Sequence, residues 1–262
     1  MDLEQVQKIG IAAAYQGAEV LRSRFGSMFK VSKKGRIDLV TEADTEAEHA
    51  IIETITSSFP DHSILAEESG LNKGSSPLQW IIDPLDGTTN FVHGLPLYAV
   101  SIAFAIDGEV VFGIVLSPPA EELFMAVSGK GATLNGCPVS VSSEAVLSES
   151  LLVTGFPYSI EEDFKPVSER FVKCLKAAQG VRRLGSAALD LCYVACGRFT
   201  GFWEQNIQPW DTAAGFLLVQ EAGGRVTDYS DQPYTIGKRE ILATNGMIHQ
   251  EMLSLLSSED SA

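Results

Sequence analysis

The sequence predicts a layered α/β fold, on three observations. Helical and strand patterns interleave along the whole chain. They do so without the strict βαβ rhythm of a Rossmann sheet or an eight-fold barrel. And 45% of the 262 residues are hydrophobic, enough to bury a large core in one domain or two closely packed halves.

The elements follow in order. Val6, Ile9, Ala13, Val20 and Leu21 recur at helical spacing and predict an amphipathic helix over residues 3–25. Residues 29–36 form a basic, glycine-containing connector carrying Lys30, Lys33, Lys34 and Arg36. A second helix is expected over 42–58, stopped by Pro60. Short strands are expected at 63–66 and 79–82. The apolar runs 97–106 and 110–116 flank Asp107-Gly108-Glu109, a hairpin signal. Further strands fit 123–127, 151–154, 201–204, 225–227 and 241–244, and further helices 166–178, 187–195 and 211–222. Residues 257–262 read as a loose tail.

Composition removes several function classes. With 34 acidic and 19 basic residues the formal net charge is −15, which argues against nucleic acid or an anionic membrane as the main partner. No uncharged apolar stretch approaches the roughly 18 to 20 residues that span a bilayer. The start, Met1-Asp2-Leu3-Glu4-Gln5, lacks the basic opening and apolar core of a signal peptide, so a soluble cytoplasmic protein is expected. The four cysteines (Cys137, Cys174, Cys192, Cys196) form no C-x-x-C pair and the four histidines are scattered, so reduced packing thiols are expected rather than a zinc site.

The most informative stretch is Trp80-Ile81-Ile82-Asp83-Pro84-Leu85-Asp86-Gly87-Thr88-Thr89-Asn90-Phe91. Pro84 biases Asp83 toward extended backbone, so the strand is expected to stop there with its carboxylate at the sheet edge. Asp86, three positions on, can face the same space. Gly87 permits close backbone approach, and Thr88 and Thr89 can cap a short helix whose free N–H groups favour phosphate. The bland alternative is a D-P-x-D-G surface turn, but a surface turn has no reason to follow Trp-Ile-Ile so closely. Residues 74–129 and 199–224 contain no lysine or arginine. A phosphate site built on arginine forks would place one here, so hard divalent cations held by carboxylates are the expected means of binding phosphate.

Three more segments offer acids: Glu67-Glu68 after an apolar strand, Asp211 at the start of an apolar helix, and Asp44 within Asp38-Leu39-Val40-Thr41-Glu42-Ala43-Asp44. Each alone has an ordinary explanation: solvated charge, N-cap, and an early-turn acid favoured by the helix dipole. Their weight comes from sharing one chain with the central motif.

Together these segments, with Trp210-Asp211 through Glu221-Ala222-Gly223-Gly224, resemble the inositol monophosphatase family of lithium-sensitive, magnesium-dependent phosphatases, over nearly the whole chain. The resemblance implies an alternating α-β-α-β-α sandwich in one domain, residues 1–262. Its approximate halves are a metal-carrying part, 1–145, and a part completing the substrate pocket, 146–262. It implies two to three Mg²⁺ ions, with Mn²⁺ as a possible substitute and Li⁺ as inhibitor. Glu67, Asp83 and the Leu85 carbonyl would hold the first ion; Asp83, Asp86 and Asp211 the second; Glu67 would also lie near a weaker third. Glu67, Thr88 and Asp44 would be catalytic, orienting and deprotonating the attacking water. Substrate would contact Leu85, Asp86, Gly87, Thr88, Gly185, Ser186, Ala187, Glu204 and Asp211, with Glu204 accepting from cyclitol or sugar hydroxyls. Lys33 matches a mobile loop near the metals. A small phosphate monoester as substrate and a homodimeric state are also implied. Four carboxylates carry roughly −4 and three magnesium ions +6, so loading would reverse the sign of the site.

Several alternatives stand beside inositol monophosphate hydrolysis. A haloacid-dehalogenase-type phosphatase resembles D-x-D-G-T, whereas the spacing here is D-x-x-D. Within the superfamily, dual inositol/fructose-1,6-bisphosphatase, histidinol-phosphate and nucleotide 3′-phosphate activities occur on similar scaffolds; Thr154-Gly155-Phe156-Pro157-Tyr158 looks like bacterial or archaeal members of broader range. An interaction protein on the same scaffold is a third class.

Overall fold

A computed structural model describes residues 2–27, 31–33, 39–157 and 160–257. Helix α1 (Leu3–Arg24) starts at Asp2, whose carboxylate accepts from the Glu4 and Gln5 N–H groups. The strands β1 (Val31–Lys33) and β2 (Leu39–Thr41) pair antiparallel. Helix α2 (Glu42–Ser58) opens on a capping box between Thr41 and Asp44. Then come β3 (Ser63–Ala66), β4 (Gly70–Asn72), β5 (Leu78–Asp86), the one-turn helix α3 (Thr88–Val92), β6 (Ala99–Ile106), β7 (Glu109–Ser117), β8 (Glu122–Val127), β9 (Ala132–Leu134) and β10 (Cys137–Val139). The remainder is β11 (Leu151–Thr154), α4 (Ile160–Ala177), β12 (Gly180–Arg182), α5 (Ala187–Ala195), β13 (Gly201–Gln205), α6 (Pro209–Glu221), β14 (Arg225–Thr227), β15 (Glu240–Thr244) and α7 (His249–Leu256).

These elements stack as five layers. The first sheet has the order β10-β9-β8-β7-β6-β5-β3-β4, antiparallel except for the β3–β5 pair. Helices α1 and α2 cover one face, where Trp80, Ile82, Phe104 and Phe112 meet Val6, Ala14 and Ile51. Helices α5 and α6 cover the other, where Ile81, Ala103 and Val115 meet Leu191, Phe216 and Leu218. The alternation of Trp80, Ile81 and Ile82 between two cores is the period of a strand buried on both faces, which is why the run is continuously apolar. The α5/α6 layer is shared with the second sheet, β12-β11-β13-β15-β14, whose far face packs Leu152, Trp203 and Leu242 against Met252 and Leu256 of α7 and Cys174 of α4. The layered α-β-α-β-α class is thus the fold. Contact between layers is close: a Cβ on Gly113 of β7 would lie 2.9 Å from the Ala214 backbone of α6. No helix among the described residues is long and apolar enough to cross a membrane.

The structure departs from sequence expectation at several places, one of them helix α7, which is not among the expected elements. Strand β5 does not stop at Asp83 but runs through Pro84 to Asp86. Its register against β6 shifts there, Asp83 opposing Ser101 and Asp86 opposing Ala99, so β5 carries one extra residue and Pro84 sits in a bulge needing no N–H donor. Helix α4 begins at Ile160, six residues before Pro166, which lies inside it. The strands β4, β9, β10 and β12 are three residues each, too short to show alternation. The basic connector contains β1; Lys30, Lys34, Arg36 and Asp38 lie outside the described residues, as do Tyr158, residues 258–262 and the side chain of Lys33.

Candidate active site

Strand β5 delivers two acids where it leaves the sheet. Asp83 is 2% exposed and its Oδ1 accepts from the Leu85 N–H at 3.0 Å, closing the Asp-Pro-Leu turn. Burial, and then the charges of Glu67, Asp86 and Asp211, hold its carboxyl well above the usual range. Gly87 follows with φ 94°, and a Cβ there would meet the Leu97 carbonyl at 2.8 Å and that of Gly185 at 3.3 Å. Only glycine satisfies both the left-handed backbone and this close approach.

Gly87, not a threonine, is the N-cap of α3, and no side chain caps the helix. The Thr88 hydroxyl is engaged elsewhere: Oγ1 lies 3.1 Å from Asp44 Oδ1 and 3.0 Å from the Leu85 carbonyl. Asp44 is fully buried, and its Oδ2 accepts from the Thr41 N–H at 2.8 Å. Burial raises its carboxyl despite these hydrogen bonds. The early-turn acid of α2 is therefore both a cap and the partner of Thr88.

The opposite wall is built from α5, α6 and β13. Asp86 Oδ2 accepts from the Ser186 hydroxyl and from the Ala188 N–H at 2.8 Å, so its charge faces the start of α5. Burial lifts its carboxyl to about 6, against these hydrogen bonds and Arg183. Asp211 Oδ2 accepts from the Gln208 N–H at 2.9 Å in a second capping box, and burial with the Asp86 charge raises it well above the usual range. Part of Glu204 reaches the cleft, yet burial lifts it to about 8, opposed by Arg183. Its carboxylate rests on Gly155, where a Cβ would lie 2.0 Å from Oε2. Asn90 staples the walls, donating to Leu97 O at 2.7 Å and to Leu184 O at 2.9 Å.

Glu67, Asp83, Leu85, Asp86, Gly87, Thr88, Gly185, Ser186, Ala187, Glu204 and Asp211 all line one cleft of about 570 Å³. Asp44 stands behind it, reached through Thr88. The expectation of a cleft without side-chain cations is corrected: Arg183 and Arg239 also line it. Both come from outside the two cation-free runs, Arg183 only two residues before the expected Gly185-Ser186-Ala187 segment. Arg183 lies 5.9 Å over the Phe156 ring. Sequence reasoning also missed Asp190, one turn after Ser186 on α5. It is 1% exposed, lines the cleft, and neither carboxylate oxygen has a hydrogen-bond partner among the described residues. Its only sequence signal was an acid inside an apolar helix.

The chemistry of the donor set fits a hard cation. Asp83 is surrounded by three further acids, every donor they offer is oxygen, and buried like charges need protons or metal to coexist. Among the described residues no three His, Cys, Asp or Glu side chains are arranged to hold an ion as they stand.

The inositol monophosphatase family profile matches residues 2–261. The chain is similar to an inositol-1-monophosphatase of Synechocystis, 47% identical over 98% of this chain and 90% of that protein. It is also similar to the Nus factor SuhB of Escherichia coli, 41% identical over 96% and 95%. Among solved structures, an inositol monophosphatase from Anabaena superposes with TM-score 0.88 at 43% identity, covering 98% of this chain and 96% of the other. The suhB extragenic suppressor protein of Bartonella henselae superposes with TM-score 0.94 at 38% identity, covering 97% and 99%.

Proposed function

The chain belongs to the inositol monophosphatase family, and from that premise we propose that this phosphatase is magnesium-dependent and hydrolyses myo-inositol monophosphate by direct attack of water on phosphorus. The observation that carries the reading is the acid group around Asp83, beside a threonine hydroxyl backed by a buried carboxylate. Glu67, Asp83 and the Leu85 carbonyl would hold one ion, Asp83, Asp86 and Asp211 a second, with Glu67 near a third. When bound, the ions supply the positive charge that attracts a phosphate monoester into an acidic cleft and lower the pKa of the attacking water.

The chain's own groups do the rest. The Gly87 and Thr88 N–H groups bind phosphate oxygens. Thr88 Oγ1 accepts from the attacking water while donating to Asp44 Oδ1, whose raised basicity suits it to take the proton, and Glu67 helps to orient the water. Gly185, Ser186, Ala187, Asp211 and Glu204 face the leaving group, with Glu204 accepting from its hydroxyls.

Arg183 and Arg239 favour a second substrate, a sugar bisphosphate such as fructose 1,6-bisphosphate, whose distal phosphate they would meet. Relatives carrying the Nus factor name support a partner role beside catalysis, and the net charge of −15 favours a protein over nucleic acid as that contact. Pull-down of one partner by wild type and by Asp83→Asn alike would support it. A homodimer is proposed from the family alone.

The test is phosphate release from inositol, fructose, histidinol and adenosine phosphates with Mg²⁺ and with added Li⁺. Inositol monophosphate is expected to be preferred, Mg²⁺ to be required and Li⁺ to inhibit. Preference for a nucleotide 3′-phosphate overturns the substrate assignment; trapping of an aspartyl-phosphate overturns direct attack by water.

A further inference from the structure

Asp44 and Glu48 lie four residues apart on α2, on the buried stripe that also carries Ala47, Ile51 and Ile55. Asp44 reaches Thr88. Glu48, only 4% exposed, turns its carboxylate on the segment after β3: Oε2 accepts from the Glu68 N–H at 2.8 Å and Oε1 from the Ser69 N–H at 2.9 Å. One residue earlier, the Glu67 N–H donates to the Ile82 carbonyl of β5 at 3.1 Å. Three consecutive N–H groups are therefore gripped, the first by the strand that delivers Asp83 and the next two by one buried carboxylate. Both oxygens of Glu48 are spent on this turn.

We propose that Glu48 is a positioning residue that fixes Glu67 against Asp83 through the backbone of residues 67–69. Helix α2 then acts as a ruler, its two buried acids indexing Thr88 and Glu67 to each other from one rigid element. A carboxylate is needed because it alone offers two acceptors to two parallel N–H groups. Glutamine turns an NH₂ toward one of them, and the turn must shift. The inference rests on Glu67 being an ion ligand.

The test measures Mg²⁺ binding by titration calorimetry, with half-saturating Mg²⁺ and kcat for phosphate release beside it, in wild type, Glu48→Gln, Glu67→Gln and the double variant. In Glu48→Gln, binding is expected to weaken about tenfold, the scale of lost support behind a metal ligand. Half-saturating Mg²⁺ should rise in step while kcat at saturation stays within about threefold. In the Glu67→Gln background, Glu48→Gln is expected to add nothing, which a general loss of stability would not reproduce. Unchanged Mg²⁺ binding in Glu48→Gln, with Glu67→Gln weakened, overturns the role of Glu48 alone. An effect of equal size in both backgrounds also overturns it. Unchanged binding in Glu67→Gln overturns the ligand assignment of Glu67 itself, and this inference with it. Should Glu48→Gln not fold, Glu48→Asp, which keeps the charge one methylene short of the turn, takes its place in the same series.

Discussion

The two walls of the cleft bury acids in opposite ways. On the β5 side, Asp83 stands among Glu67, Asp86 and Asp211, and every neighbour that shifts its charge state is another acid or a backbone N–H. On the α5/β13 side, Asp190 and Glu204 share Arg183, a cation built into the wall. The surroundings of Asp83 are short of positive charge and are suited to receive it from an ion. The second wall carries its own counter-charge and is suited to neutral hydroxyls, which hydrogen-bond to carboxylates without adding charge. On the proposed mechanism chemistry and selectivity fall to different walls, and substitutions should separate them.

The largest expected effect is on the β5 wall. Asp83→Asn should lower kcat by about a thousandfold, the scale of losing one central electrostatic group, at saturating Mg²⁺. Its circular dichroism should match wild type, and its metal-free form should melt no lower, because a buried repulsive charge has gone. Near-wild-type turnover would break the contrast. Next, Thr88→Ala should cost about a hundredfold in kcat, the lower range of proton-transfer catalysis, whereas Thr88→Ser keeps the hydroxyl facing Asp44 and should recover most of it. Equal losses in both variants would make the methyl group, not the hydroxyl, the active part.

On the other wall, Glu204→Gln should raise KM for inositol monophosphate about tenfold, the order of one buried hydrogen bond. The KM for p-nitrophenyl phosphate, whose leaving group has no such hydroxyls, should barely move. Loss with both substrates would merge the two walls into one.

The smallest effect concerns stability without metal. Glu204 is raised to about 8 in the fold from an ordinary value near 4.5, so the folded protein holds a proton there that the unfolded chain releases. That stabilising contribution is complete at low pH and lost as pH rises through 8. His249, lowered by burial to about 4, works in the opposite sense below pH 6.5, so the clean window lies above it. In EDTA the unfolding temperature should fall between pH 6.5 and 8.5. Mg²⁺ should restore the β5 wall, and Glu204→Gln should shrink the remainder, to which buried Asp190 also contributes. A flat profile in EDTA would show that Glu204 is not held protonated.

Much of the fold was legible because its signals are local. The stripe of α2 fixed the helix at 42–58, and the Trp-Ile-Ile run fixed β5 up to Asp83. Beyond that point the sequence misled: proline read as an end, while the sheet absorbed it in a bulge whose partner, β6, lies more than ten residues on. The helix-capping role expected of Thr88 failed for a related reason. Its hydroxyl chose Asp44, 44 residues away, over its own helix.

By itself, then, the sequence determined the longer internal elements, the acids of the β5 wall and the family pattern that groups them, since spacing of two, three or four residues dictates what one strand, turn or helix presents. Only the tertiary structure decided which charges meet. It brought Arg183 into the cleft, set Asp190 beneath it with no hydrogen bond from the described residues, and put Glu48 behind Glu67. Coulomb and hydrogen-bond energies fall with distance in space, and no periodicity along the chain encodes a contact made across a hundred residues.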